Sequence, residues 1–312
     1  MEQPVKVAWF TEGGWTAKIP RTHPDMRNDS AWMCILEATH YPIWNVHEIT
    51  EKYDLGIVTI PKKNIDRLSQ YPLIENLRKC CKQIAYMQEG PYWYFQDFSI
   101  NDQCWFFNTL QEMDFLYVHN RIDQKYFSGL VNKECRLMPT VMIEDLLANL
   151  PKVERSNVMI GGNFCSWYGG FDSYIIANEF QTDIWVPSMG RRISGEEHMP
   201  SLNHLDYMNW LQWMQTLNKF KFGIHLMRTH AAGTFALNCA YLGIPCIGYK
   251  GLDTQEILHP DLTVELGDLE SARKIAKNLR NDEEFYLYSS TLCKKLYKDH
   301  YTEQSFKNKI IT

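Results

Sequence analysis

A basic, glycine-containing loop runs directly into an apolar segment in RTHAAGTFALNCAYLGIP, residues 228–245. From Phe235 to Leu242 nearly every residue is apolar, which predicts a buried helix and not an exposed one with a single apolar stripe. The first turn of a helix leaves backbone N–H groups free, and the helix dipole adds partial positive charge at the same end. The segment therefore predicts an anion-binding site. The residues expected to bind the anion are Arg228 before the helix and Gly233 and Thr234 at its start. His230 is either a further phosphate ligand or only a polar loop residue.

Three carboxylates are candidates for taking a proton from a substrate. Glu89 ends an apolar run, and the Gly-Pro pair that follows it fixes a turn. A carboxylate placed at the end of a strand suits general-base catalysis on a hydroxyl, although a capping or salt-bridged carboxylate would look the same in the sequence. Glu12 and Asp25, in the loop of WFTEGGWTAKIPRTHPDM, are the rival candidates.

Two further pairs of residues could contact phosphate. Gly13 and Gly14 have no side chains, so they let the backbone approach a ligand closely, or they simply form a tight turn. Arg191 and Arg192 are candidates for a diphosphate, with a solvated surface pair as the alternative. The loop at 9–26 is locally basic, which makes it the expected place for a phosphate-bearing acceptor.

These residues need a scaffold, and the sequence predicts alternating strands and helices. The predicted strands of the first half are 5–10, 53–61, 83–91, 114–120 and 136–142, and its helices are 29–40, 74–82, 106–113 and 125–131. The alternation restarts after residues 145–156. The strands there are 156–164, 182–188, 221–227, 245–249 and 261–267, and the helices besides the opening one are 171–180, 204–220 and 268–279. We therefore expect two doubly wound, Rossmann-like α/β domains facing a cleft, with ligands past the carboxyl ends of the strands.

The composition limits the partners and the compartment. The formal charge of −5 gives no strong overall attraction to nucleic acid or anionic membranes. No apolar run is long enough to span a bilayer, and the start MEQPVKVAWF does not look like a signal peptide. Nine scattered cysteines without a CxxC pair predict free thiols in a reducing cytosol. We expect a cytoplasmic protein (in the host cytoplasm if it is viral), a monomer or weak dimer with no membrane partner.

The run from Gly233 to Pro245 resembles the donor motif of GT-B glycosyltransferases, which reads roughly Gly-x-x-x-Leu-Glu-Ala-x-x-x-Gly-x-Pro. The spacing of its glycines and proline matches, and Asn238 stands where the family has a ribose-binding glutamate. The resemblance implies transfer of a hexose from a UDP-sugar such as UDP-glucose to an acceptor hydroxyl. It also implies that Gly233, Thr234 and Asn238 hold the donor.

Metal independence is a further expectation. Some glycosyltransferases hold a metal with an Asp-x-Asp motif, and this sequence has none. Arg228 and backbone N–H groups would then stabilise the leaving nucleoside diphosphate, with no metal and no cofactor. In the resembled fold the terminal helix crosses back to the first domain. We therefore expect domains at 1–147 and 148–296, with 297–312 returning to the first.

The acceptor is open at this stage. Bacteriophage DNA β-glucosyltransferase has a similar layout, in which a strand ends in a catalytic aspartate, and Glu89 falls at that place. That likeness implies a 5-hydroxymethylpyrimidine in phage DNA, flipped out of the stack, as one acceptor. A glycan or a lipid-linked sugar is the other. Two alternative functions are a nucleotide-sugar 2-epimerase and a non-catalytic nucleotide-sugar-binding protein, and Asn238 in place of glutamate keeps the latter open.

Overall fold

A computed structural model describes residues 5–165, 167–188, 193, 195–199 and 201–310. The chain divides into two compact units. Met1–His23 and Asp29–Pro139 form the first, and Pro24–Asn28 and Thr140–Thr312 form the second. None of the helices in the described ranges combines the length and apolar character needed to cross a bilayer.

The first unit is built on one twisted, mostly parallel sheet. Its strands are β1 Val7–Thr11, β2 Ala17–Lys18, β3 Thr39–Pro42, β4 Tyr53–Thr59, β5 Cys81–Met87, β6 Phe115–Val118 and β7 Cys135–Leu137. Its helices are α1 Asp29–Ile35, α2 Ile65–Leu68, α3 Leu73–Cys80, α4 Ile100–Glu112 and α5 Arg121–Val131, with 3₁₀ turns at Ile43–Glu48 and Tyr94–Asp97. The strand order is β2-β3-β1-β4-β5-β6-β7, and only β2 runs antiparallel to its neighbour among the described strands.

The second unit has a wholly parallel sheet over the described residues. Its strands are β8 Ser156–Ile160, β9 Ile184–Val186, β10 Leu202–His204, β11 Phe220–His225, β12 Cys246–Tyr249 and β13 Thr263–Val264. Its helices are α6 Gly170–Ala177, α7 Trp210–Leu217, α8 Thr234–Leu242, α9 Asp253–Leu258, α10 Leu269–Asn281, α11 Glu283–His300 and α12 Glu303–Ile310. Four 3₁₀ turns accompany them, at Glu144–Leu147, Asn178–Phe180, Glu196–His198 and Pro260–Leu262. The order β10-β9-β8-β11-β12-β13 is that of a Rossmann fold.

Each sheet has one point where the strand order reverses, and a crevice opens there at the carboxyl ends of the strands. In the first unit the reversal lies between β1 and β4, and in the second between β8 and β11. The loops that follow these strands are therefore where the fold places ligands.

Helix α8 confirms the buried helix expected from the apolar run. Seven of its nine residues are buried, and it lies between two glycines in the left-handed conformation, Gly233 (φ 72°) and Gly243 (φ 71°). Its side chains reach into narrow gaps. A Cβ on Gly223 would come 2.9 Å from the Cys239 sulfur, and one on Gly161 would come 2.8 Å from the Phe235 ring. Because Gly223 in β11 and Gly161 after β8 have no side chains, α8 can pack close to the sheet.

Arg155 ties the carboxyl ends of two helices together. Its guanidinium donates to the Asn218 carbonyl oxygen at 3.0 Å and to the Asn218 side-chain oxygen at 2.8 Å. It also donates to the carbonyls of Leu242 at 2.8 Å and Gly243 at 3.4 Å. The last carbonyls of α7 and α8 lack partners within their own helices, so one side chain satisfies several of them at once.

Several predicted elements differ from the structure. The helix expected over 29–40 ends at Ile35, because the chain turns into strand β3. The helix expected over 204–220 spans only Trp210–Leu217, since residues before it form β10 and a loop. Residues 253–258, where no helix was predicted, form α9. The two compact units divide at residue 139 and place 297–310 in the second unit, and the expected domain bounds at 147 and 296 stay a prediction. A crossing of that segment to the first unit stays a prediction.

The bonds made by Arg155 give a testable prediction. Replacement by methionine keeps most of the apolar stem and leaves buried carbonyls unpaired, so Arg155→Met should lower the free energy of unfolding by about 2–3 kcal/mol. Lys274→Met is the control, because that lysine makes only an exposed pair with Glu270, worth at most about 0.5 kcal/mol. Urea denaturation of both variants measures the difference. Equal stabilities would show that Arg155 does not hold these helix ends.

Candidate functional site

A tight contact with α9 fixes the chain where it enters the amino end of α8. The Thr254 hydroxyl donates to the Gly233 carbonyl at 2.9 Å, and a Cβ on Gly233 would lie 2.0 Å from that hydroxyl oxygen. Glycine is therefore required by both the positive φ angle and the lack of space. The Thr234 hydroxyl donates to the Asn28 side-chain oxygen at 2.8 Å. The predicted anion site thus has the expected helix start, with Asn28 as an added polar neighbour.

A cavity of about 210 Å³ opens beside this helix start. Its walls come from the carboxyl ends of β8 and β9, from α7, from the first turns of α8 and from two loop segments. The lining residues are Arg27, Asn28, Gly161, Pro187, Ser188, Asp206, Met208, Trp210, Trp213, Thr234, Phe235 and Asn238. Aromatic and apolar walls with a few polar groups are typical of a small-molecule site at a switch point.

The segment 24–28 belongs to this wall, although it comes from the amino-terminal half of the sequence. The Asp25 carboxylate accepts the backbone N–H of Trp210 at 3.2 Å, and the Pro24 carbonyl accepts that of Leu211 at 2.9 Å. Met26 is buried. Asp25 therefore caps helix α7 in the second unit, and it also pairs with Arg27 at 3.1 Å. These contacts favour a capping role for Asp25 over the predicted role as a base.

Arg228 has an intramolecular partner that the sequence did not indicate. Its Nη2 and Nε lie 2.8 and 3.2 Å from one carboxylate oxygen of Asp172. The pairing raises the pKa of the guanidinium, while 58% of the side chain stays exposed. Asp172 therefore holds one edge of the Arg228 guanidinium, while most of the Arg228 side chain stays exposed to solvent.

Asn238 and His230 lie near the start of α8 with part of their polar capacity in use. Asn238 is buried, and with its amide turned it accepts the Trp213 indole N–H at 3.0 Å and donates to the Thr234 carbonyl at 3.3 Å. His230 packs on Gly251, where a Cβ would come 2.2 Å from its Nε2. Burial lowers the pKa of His230, opposed by Glu256. The lowered pKa favours the neutral form of the His230 ring, so His230 is less suited to bind phosphate as a cation. The predicted Arg191 and Arg192 lie outside the described residues.

In the first unit, Glu89 lies among three other charged groups, Lys62, Glu12 and Asp29. Glu89 pairs with Lys62 at 3.3 Å, and the Lys62 ammonium lies 4.8 Å from the centre of the Tyr94 ring. Burial raises the pKa of Glu89, with Glu12 adding to the effect and Lys62 opposing it. Burial also raises the pKa of Asp29 to about 7, with Glu89 adding and Lys62 opposing. The two rival candidates Glu12 and Glu89 thus interact electrostatically, and Asp29 is a member of this group that sequence reasoning missed.

The glycine loop after β1 is shaped by a buried histidine. The His40 Nδ1–H donates to the Trp15 carbonyl at 2.8 Å, its Nε2 lies 2.7 Å from the Thr11 hydroxyl oxygen, and its ring stacks on Trp15 at 3.7 Å. A Cβ on Gly13 would come within 3.0 Å of the Trp15 indole nitrogen, whereas one on Gly14 would meet nothing within 4 Å. Gly13 is therefore explained by packing, and Gly14 leaves open space.

Next to Glu89, the end of β6 carries a histidine that the sequence did not single out. The His119 backbone N–H donates to the Gln88 side chain at 3.1 Å, and its ring stacks on Trp32 at 5.6 Å. Burial lowers its pKa to about 4, so the ring is neutral at physiological pH. Its Nδ1 is buried and has no hydrogen-bond partner among the described residues.

The pKa of Asp29 gives a prediction about stability. Between pH 3.8 and about 7, the folded state keeps the Asp29 proton that the unfolded state has lost, so raising the pH favours unfolding. Asp29→Asn removes this dependence. Between pH 5 and 8 the wild type should lose about 1–2 kcal/mol of unfolding free energy relative to the variant, after allowance for solvent screening. Asp97→Asn, at an exposed position of the same unit, should follow the wild type. Equal differences between wild type and Asp29→Asn at the two pH values, measured by parallel urea titrations, would contradict the raised pKa of Asp29.

No protein-family model matches the sequence, and no curated protein matches it. Solved structures do. HepE from Anabaena, in complex with UDP and glucose, aligns over 98% of both chains with a TM-score of 0.68 and 11% identity. Sucrose-phosphate synthase from Thermosynechococcus elongatus aligns over 81% of this chain and 71% of its own, with a TM-score of 0.61 and 13% identity.

A trehalose-6-phosphate protein from E. coli, bound with UDP-2-fluoro glucose, aligns over 91% of this chain and 78% of its own, with a TM-score of 0.63 and 10% identity. Phage DNA glucosyltransferases find no support among these structures, and that part of the resemblance stays a prediction. At these identities the likeness shows the fold. The chain consists of two parallel-sheet α/β units and has the fold of GT-B glycosyltransferases.

Proposed function

We propose that the protein is a glycosyltransferase that moves a hexose from a UDP-sugar to an acceptor hydroxyl. The observation that carries the proposal is the free helix start of α8, beside a cavity at the switch point of the second sheet. The structures of HepE and of the E. coli protein contain UDP or a UDP-sugar, which supports a UDP-linked donor. UDP-glucose is the first donor to test.

The donor would be divided between the cavity and the helix start. The nucleoside fits the apolar and aromatic walls, where Trp213 and Phe235 offer flat surfaces. The diphosphate fits the backbone N–H groups that follow Gly233, with Arg228 as the nearby cation. Asn238 lines the cavity and keeps unused hydrogen-bonding capacity on its amide, so it can still bond a ribose hydroxyl.

Transfer of the sugar leaves a nucleoside diphosphate whose negative charge must be stabilised. Donors that are already fixed before the reaction act most strongly, because they need no reorganisation when the charge develops. Arg228 is fixed by Asp172, and the N–H groups of α8 are fixed by the helix. We therefore propose that the protein stabilises the leaving group with these groups and not with a metal ion.

On the acceptor side we propose Glu89 as the base that accepts the hydroxyl proton. It lies after β5, at the end of the sheet where Glu12, Asp29 and Lys62 gather. Neighbouring negative charges and partial burial both raise the pKa of a carboxylate, and a raised pKa suits general-base catalysis near neutral pH. DNA containing 5-hydroxymethylpyrimidine and sugar acceptors are the two acceptor classes that we propose to compare.

The donor assignment predicts binding of UDP without a metal. UDP at a hundredfold excess over its Kd should raise the unfolding free energy by about 2.7 kcal/mol. Thermal unfolding with UDP and EDTA, against uridine and against no ligand, measures this. Trp213→Leu should reduce the shift because the cavity loses an aromatic wall, whereas Trp44→Leu, in the first unit, should not. A shift seen only with added Mg²⁺ would contradict the metal-free site.

The acceptor assignment predicts the behaviour of Glu89→Gln. The amide keeps the shape of the side chain and removes the proton acceptor, so transfer should fall by roughly 10²–10⁴, with UDP binding unchanged. Turnover of UDP-glucose is followed with water, with hydroxymethylated DNA and with sugar acceptors. Glu75→Gln, an exposed residue paired with Lys79, is the matched control.

Near-normal turnover of Glu89→Gln would remove Glu89 from the proton transfer. The role would then pass to Glu12, or to a retaining reaction that needs no such base. Loss of UDP binding together with turnover would instead show that the variant is misfolded, and circular dichroism of the variant separates that case.

A further inference from the structure

Two buried side chains, Asp172 and Tyr249, lie behind Arg228 and form a network with it. The Asp172 oxygen that receives the guanidinium also accepts the Tyr249 hydroxyl at 3.0 Å. Asp172 is the third residue of α6, Tyr249 is the last residue of β12, and Arg228 lies in the loop after β11. Three separate elements of the second unit therefore meet at one carboxylate oxygen.

The burial of this network differs along its length. Tyr249 is 1% exposed and Asp172 is 8% exposed, whereas 58% of the Arg228 side chain is exposed. Burial, with Asp172 adding to the effect, raises the pKa of Tyr249 to about 12, so its hydroxyl remains a donor. An exposed ion pair is normally held loosely, because two mobile side chains must be ordered to make it. Here one partner is already fixed, so the arginine alone has to be ordered.

The shape of the guanidinium determines which of its edges stays available. Asp172 engages Nε and Nη2, which form one edge of the plane. The adjacent edge is made by Nη1 and the second hydrogen of Nη2, and a planar fork of this kind matches two oxygens of a phosphate. The contact with Asp172 thus sets the direction in which that second edge points.

We propose that Asp172, held by Tyr249, is a positioning residue that orients Arg228 toward the diphosphate of the donor. The inference rests on the proposed function, because it assumes a nucleoside diphosphate at the start of α8. Asp172 does not touch the ligand in this scheme. It acts only through the arginine, much as an outer carboxylate orients a metal-bound histidine.

Electrostatics alone predicts the opposite effect, which makes the proposal testable. In the proposed arrangement Asp172 is an anion directly behind the arginine that binds the diphosphate, so removing its charge would strengthen UDP binding if charge were all that mattered. If orientation matters more, the same change weakens binding, because Arg228 must then be ordered at the moment the ligand binds. The sign of the change in affinity decides between the two.

The experiment is calorimetric titration of the full-length protein with UDP and with uridine, which lacks the phosphates. Arg228→Met should weaken UDP binding roughly 10- to 100-fold, the range for loss of a charged hydrogen bond. Asp172→Asn should weaken it roughly tenfold, by analogy with other orienting partners. Tyr249→Phe should have a smaller effect in the same direction. Uridine binding should be unchanged in all three variants.

Two further measurements separate orientation from a general structural role. In an Arg228→Met background, Asp172→Asn should cause no additional loss of UDP affinity, because the residue it positions is gone. Nitrogen-15 relaxation of the Arg228 Nε–H should show an ordered side chain in the wild type and a mobile one in Asp172→Asn. Thermal unfolding of each variant identifies any that fails to fold, and Tyr249→Phe then takes the place of Asp172→Asn.

The inference is overturned if Asp172→Asn binds UDP as tightly as the wild type or more tightly. It is also overturned if uridine binding falls together with UDP binding, since that result means a disturbed loop and not a misdirected arginine. A wild-type protein that binds neither UDP nor uridine would contradict the proposed function itself, and the inference would fail with it. The two failures are therefore distinguishable.

Discussion

The close packing of helix α8 on its sheet is the constraint on which the second unit depends. Phe235 lies against the backbone of Gly161, and Cys239 lies against Gly223, at distances that leave no room for a Cβ. The helix can therefore occupy only one position relative to β8 and β11. That position puts its first free N–H groups at the switch point, and Thr254 keeps the entering chain in place. Packing that looks purely structural thus fixes the candidate ligand site.

In the first unit, the candidate site depends on the charged groups that surround its carboxylates. Asp29 and Glu89 lie near Lys62 and compete for its compensating charge, and Glu12 adds a negative charge near Glu89. Burial makes the competition stronger because solvent screens less. Trp32 packs between Trp9 and His119 and anchors helix α1, which carries Asp29 at its start. The apolar stack therefore holds a titratable residue in an environment that it would not occupy in water.

The sequence predicts the features that depend on local pattern. The apolar run of α8, the glycines at its ends and the strand before Glu89 are visible because each is encoded within a few neighbouring residues. Strand β3 is missed, since Thr39–Pro42 is short and has no apolar alternation. Helix α9 is missed because its residues are mostly polar and follow a glycine, which favours a turn.

Features created by distant residues could not be read from the sequence. Asp172 and Arg228 are 56 positions apart, and neither neighbourhood signals the other. The elevated pKa of Asp29 comes from burial and from a glutamate 60 residues away, which no local motif records. In the sequence Asp25 is only a carboxylate in a basic loop, and its contact with the start of α7 is made by the fold. The residue types that could carry the chemistry are evident in the sequence, whereas the side chains with which they pair are not.

The segment 24–28 has a consequence for how the chain reaches this fold. It is made early during synthesis, whereas the residues it contacts, Met208 to Leu211, follow some 180 positions later. The first two N–H groups of α7 thus have no protein acceptor until a very long loop has closed, and such non-local contacts form slowly. The second unit is discontinuous in the chain. Proteolytic cuts or truncations between residues 28 and 140 would separate this cap covalently from the rest of its own unit.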